Sequence, residues 1–161
     1  MPQEPKRTQD LLFDAVVALL TRRSFDDICV TDICGRASVH RSTFYKYYAD
    51  KYELLEVQFR ALAETLIRGE DDLPRFLRHV EENLTLYRPL LLDPKNSEAE
   101  RILRQQLALR LRETSGAGSE AGAQFLAGGL LAAAAWWLRI ENRDVPAEEL
   151  RAALARSLPA N

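Results

Sequence analysis

Apolar positions recur at helical spacing along almost the whole chain. Leu11, Leu12, Ala15, Val16, Leu19 and Leu20 share one face of a helix predicted over about 8–23, preceded by a mixed-charge arm of about ten residues. Phe25 and Ile28 follow a break at Ser24 and Asp26. Thr31 is the predicted N-cap of a short helix over 32–37, because its hydroxyl can accept a free backbone N–H, and Asp32 suits the positive end of that helix. Ser38 and Val39 interrupt the pattern before a third short helix over 41–47. Asp50, with Glu53 three residues on, makes a capping box for a fourth helix. Its apolar positions Leu54, Leu55, Phe59, Leu62, Ala63 and Leu66 carry it to about Ile67, and Gly69 ends it. Further helices are predicted over 73–87, broken by Pro89, and over 98–113. An Ala-rich helix spans about 120–141, and a last one starts at Pro146 and ends near 158. No alternating run of β-branched residues bounded by turns interrupts this series, so the predicted fold class is all-α.

The 161 residues suffice for a small head fused to a larger helical body, and the division falls near 48–50: a head over 1–49 and a body over 50–161. A net charge of −2 excludes a chain coated in positive charge, but nucleic-acid binding needs only a local basic face. That face exists: between Ile33 and Lys51, four basic residues (Arg36, Arg41, Lys46 and Lys51) stand against Asp50 alone. Cys29 and Cys34 lack the further ligands of a metal site, and His40 and His79 have no metal-finger spacing, so no metal or cofactor is expected. Two small buried thiols are expected instead, with a redox switch as the alternative. The N-terminus shows no apolar stretch after its charges, which leads to an expected cytoplasmic location. The run from Ala121 to Leu138 is long enough to span a bilayer, but its richness in Ala and Gly fits a buried helix touching two surfaces better, so no membrane partner is expected.

A helix-turn-helix reads DNA by laying a short second helix in the major groove, with polar side chains outward and apolar anchors behind. Residues 39–48 meet that need. Val39, Phe44 and Tyr48 point to a core, leaving Arg41, Ser42, Thr43, Tyr45, Lys46 and Tyr47 for DNA, while Ile33 and Ala37 bury the preceding helix. Tyrosine hydroxyls are good phosphate donors.

The stretch from Val30 to Leu55, VTDICGRASVHRSTFYKYYADKYELL, resembles the DNA-binding signature of the TetR/AcrR family. The likeness is strong over about 8–56 and only architectural beyond. It implies a cytoplasmic, Ω-shaped homodimer of nine-helix subunits, each a homeodomain-like three-helix head on a helical body, usually a repressor on a palindromic operator. By position, Thr31 caps the second helix and touches phosphate, and Arg41, Ser42 and Lys46 face base edges or phosphates. Thr43 and Tyr45 anchor to the backbone, Tyr47 contacts either class, and Lys51 meets a phosphate. Two departures stand out. Ser38 occupies the usual Gly position of the turn, and His40 replaces the usual Ser cap, where it caps, contacts phosphate or does little.

The Ala-rich helix carries two apolar stripes: Phe125, Gly128, Gly129, Ala132 and Trp136 on one, Leu126, Leu130, Ala133 and Trp137 on the other. With Leu150 and Leu154 of the last helix, they resemble the helix pair that forms a four-helix dimer interface in this family. The family also implies a pocket for a small apolar or amphipathic effector. Its candidate lining is Phe59, Phe76, His79 and Tyr87, although the body is short for a large cavity. No nucleophile elbow, phosphate-binding glycine loop or metal set is present, so an enzyme is not expected. The expected function is operator binding by a homodimeric regulator. A helical interaction module without DNA binding and a thiol-sensing regulator are the alternatives.

Overall fold

Every regular element among the described residues is helical. The computed structural model describes residues 3–69, 71–114, 119–139, 145–146, 148–150 and 152–153. The elements are α1 (Gln3–Leu20), α2 (Val30–Ala37), α3 (Arg41–Tyr47), α4 (Lys51–Leu66), α5 (Asp72–Glu82), α6 (Leu84–Leu92), a 3-10 turn (Pro94–Asn96), α7 (Ser97–Thr114) and α8 (Glu120–Leu138). Residues 148–150 and 152–153 are helical too, so the predicted last helix is present where it is described; Leu154 lies outside the described residues.

The first three helices bury Leu12, Val16 and Leu20 of α1, Ile33 of α2 and Phe44 of α3, together with Phe25, Ile28 and Tyr48 of the connecting segments. Further along the chain, α7 packs against both α4 and α8. The α4 stripe of Leu54, Leu55, Phe59, Ala63 and Leu66 is buried as its spacing predicts. α1 also packs on α6 and α4, so the two groups of helices share one continuous buried cluster.

Four local expectations are corrected. The mixed-charge arm is helical from Gln3, and Pro5 sits in the first turn, where a missing N–H costs nothing. Thr31 is not a cap: α2 starts at Val30, two residues before the predicted start, and Cys29 stands at the N-cap. The break after α5 falls at Asn83, whose Nδ2 donates to the His79 carbonyl at 2.9 Å and satisfies the end of that helix, while Pro89 is absorbed inside α6. Cys34 is buried, but Cys29 is exposed.

Ser38, between α2 and α3, adopts φ 56° and ψ 40°. This left-handed conformation strains a residue with a Cβ. Ser38→Gly is therefore expected to stabilise the chain by about 0.5–1 kcal/mol, net of glycine's extra chain entropy, raising the melting temperature by about 2 °C. A melting temperature that falls in a thermal scan contradicts this.

Candidate nucleic-acid interface

The loop 21–29 and the turn 38–40 determine what α3 shows to solvent. Arg22 and Arg23 N–H groups close onto the Leu19 carbonyl, and Ser24 Oγ donates to Asp27, so the chain reverses within a few residues. At the start of α2, the Cys29 N–H and thiol both donate to Asp32 Oδ2, at 2.9 and 3.0 Å, and Arg23 pairs with Asp32 at 3.2 Å. The Cys29 thiol contributes most, then its N–H, then Arg23, and together they hold the Asp32 carboxyl down at about 2. A folded value below the unfolded one means that Asp32 stabilises the head above its ordinary 3.8 and loses that contribution as pH falls toward 2.

From this base α3 presents two faces. Phe44 and Tyr48 are buried, with rings 5.6 Å apart, and Gln58 Nε2 donates to the Tyr48 hydroxyl at 3.1 Å. On the other side Arg41, Ser42, Tyr45 and Lys46 are exposed, while Thr43 and Tyr47 are half-buried. The Arg41 guanidinium lies 5.9 Å from the Tyr45 ring centre, so two donors reach solvent as a unit. His40 stands at the α3 N-cap, but its side chain makes no capping bond and is exposed. Thr31 is exposed in the first turn of α2.

Lys51 is placed otherwise than its position in the motif suggests. Its Nζ donates to the carbonyls of Phe25, Asp26 and Ile28 at 2.8, 3.0 and 2.8 Å, and lies 4.7 Å from the Phe25 ring centre. An ammonium has three donors, and all three are spent on the α1–α2 loop, so a free phosphate ligand becomes an internal staple. A cation at a helix N-terminus opposes the macrodipole, and the three carbonyls offset that cost. Sequence spacing gives the position of Lys51 but not the carbonyls that converge on it.

Three of the four expected effector residues pack inside the core. Phe59, Phe76 and Tyr87 are fully buried and close-packed, with Phe13–Phe59 and Phe76–Tyr87 edge-to-face at 6.0 Å each. His79 Nδ1 lies 3.0 Å from the Tyr87 hydroxyl, so the two polar tips satisfy each other. Burial pushes His79 below its ordinary value and Tyr87 above its own, which makes both neutral partners. The opening that His79 does line is a groove of about 370 Å³ between α1 and α4–α6, edged by Phe13, Val17, Leu62 and Leu86.

On α8 the buried face is neither predicted stripe but a third, Ala123, Ala127, Leu131, Ala134 and Leu138. Leu126, Leu130, Ala133 and Trp137 are half-buried. Phe125, Gly129, Ala132 and Trp136 are exposed, Phe125 at 77%. Gly128 and Gly129 face open space. Leu150 is buried. Among the described residues, α8 is also the one helix long and apolar enough to cross a bilayer by length and composition.

No family profile matches the chain. It is 31% identical over 98 residues to the HTH-type dhaKLM operon transcriptional activator DhaS of Lactococcus lactis subsp. lactis strain IL1403. That match covers 56% of this chain and 52% of the relative, so the chain spans about half the length of the curated relative it matches. Among solved structures it is similar to a TetR transcriptional regulator from Streptococcus agalactiae 2603V, with a TM-score of 0.62 and 26% identity over 98% of this chain and 97% of that one. It shares its fold with Lin0861 from Listeria innocua, at TM-score 0.75, 23% identity, and 98% and 92% coverage. The same holds for the dihydroxyacetone kinase operon activator DhaS, at TM-score 0.58, 22% identity, and 93% coverage of each chain.

Proposed function

We infer that this chain, a TetR-like transcriptional regulator, grips operator DNA with α3 and does so as a homodimer. The observation that carries the reading is the two-sidedness of α3: Arg41, Ser42, Tyr45 and Lys46 exposed together, Phe44 and Tyr48 anchored behind them. A helix so mounted can enter the major groove without disturbing the head's core. Thr31, His40, Thr43 and Tyr47 flank this face and supply backbone contacts; Lys51 acts by holding the loop beneath.

Arg41 and Lys46 divide the work of affinity and specificity. Arg41→Ala or Lys46→Ala is expected to weaken operator binding by about 1–3 kcal/mol and to lower the salt slope by about one each, while relaxing preference at individual base pairs. Binding titrations over a salt series against operator and mismatched duplexes test this. Unchanged affinity and slope in both variants contradict it.

The exposed α8 stripe supports dimerisation. Phe125 and Trp136 offer apolar area that a single chain leaves in water, and Gly128 and Gly129 leave room for a close partner backbone. A second copy fits better than a bilayer, because the stripe occupies only one side of α8. Two linked heads then read a palindrome with a raised effective concentration. A small amphipathic effector fits the groove beside His79, where head and body elements both contribute walls. A cytoplasmic location follows from acting on DNA. Activation and repression share the same grip, so the expectation of a repressor stands beside a relative named as an activator.

A further inference from the structure

Asn96 is 1% exposed, and its amide makes two hydrogen bonds that leave its own turn. Oδ1 accepts from the Phe25 N–H at 2.6 Å, and Nδ2 donates to the Pro89 carbonyl at 2.9 Å. Phe25 belongs to the α1–α2 loop of the head and Pro89 to α6 of the body, so one side chain joins the two. The turn that presents it is itself fixed: the Asn96 N–H donates to the Asp93 carbonyl at 2.9 Å, and the Lys95 N–H to Asp93 Oδ1 at 3.0 Å.

The same loop is gripped from its other side by Lys51, which takes the Phe25 carbonyl. Phe25 is therefore held at both backbone groups, its N–H by the body and its carbonyl by the start of α4. The loop leads straight into α2, and α2 carries α3. The tilt of the reading helix relative to α4 and α6 is fixed here, beside the apolar contact of α1 with the same two helices. Apolar contacts tolerate sliding, whereas a two-ended amide bond has one geometry.

We propose that Asn96 is a positioning residue for operator binding: its amide clip sets the pose of head on body, and so the separation of the two α3 helices in the dimer. This rests on the dimeric operator reading above.

The test uses the 161-residue chain, its selected operator, and versions of that operator with the half-sites moved apart or together by a base pair or two. A single half-site at low salt serves as the control for an intact reading face. The wild type is expected to favour one spacing by about tenfold. Asn96→Leu removes both bonds, and Asn96→Asp keeps the acceptor for Phe25 while losing the donor to Pro89. In each, the preference is expected to shrink to within about twofold with half-site affinity unchanged. A folded variant that keeps the wild-type spacing preference overturns the proposal. So does failure of both variants to fold, which makes Asn96 a stability residue. A wild type that selects no operator overturns the operator reading itself, and that result is visible before any variant is made.

Discussion

Replacing Lys51 with methionine is expected to destabilise the chain by about 2–6 kcal/mol, because two part-buried carbonyls, those of Phe25 and Ile28, lose a charged donor at about 1–3 kcal/mol each. The third, on Asp26, is exposed and turns to water. Methionine keeps an unbranched apolar side chain but also gives up the Nζ contacts with the Phe25 and Tyr52 rings at 4.7 and 5.2 Å, so the loss reads the ammonium as a whole. Urea unfolding followed by circular dichroism measures it. The position in the motif suggests a different outcome, a phosphate ligand whose removal leaves stability intact and lowers the salt slope by about one. A stability loss under about 1 kcal/mol, together with that drop in slope, would restore the phosphate role and contradict the staple.

A charge at the N-terminal end of the exposed α8 stripe has the second large effect. Phe125→Glu is expected to raise the dimer dissociation constant at least about 100-fold, since each copy would carry a carboxylate into an apolar contact. Phe125 is 77% exposed in the single chain, so the monomer fold should tolerate the change. Sedimentation velocity across a concentration series should show monomer at concentrations where the wild type is expected to be dimeric. Operator affinity should fall with it, and half-site affinity should persist. A variant that remains dimeric removes α8 from the interface.

The sequence was most legible where one rule governed. The α3 boundaries follow from a short apolar anchor set in a polar run, and the α4 stripe from strict helical spacing with Asp50 as cap. The structure matches both: Asp50 Oδ1 accepts from the Tyr52 and Glu53 N–H groups at 2.8 and 2.9 Å. Legibility failed where two local rules competed. Thr31 is a better cap by propensity than Cys29, yet Asp32 can reach the Cys29 N–H and thiol, and that reciprocal box moves the start of the helix. Pro89 is a stronger breaker than Asn83 in general, but the Asn83 amide satisfies a carbonyl of α5 and takes the break. Tertiary convergence left no signal at all. Nothing local says that Lys51 meets three carbonyls more than twenty positions away, or that Asn96 meets Phe25. The aromatic set Phe59, Phe76 and Tyr87 has the composition of a pocket lining and the packing of a core, and spacing alone does not separate the two.

The most direct test of the central claim is selection of bound sequences from a random duplex pool by the purified protein, followed by affinity for the winner over a salt series. The expected result is a two-fold symmetric site whose affinity falls steeply with salt, as several lysine and arginine contacts to phosphate require. Folded, dimeric protein that enriches no sequence at low salt would contradict it and leave α3 as a surface for another kind of partner.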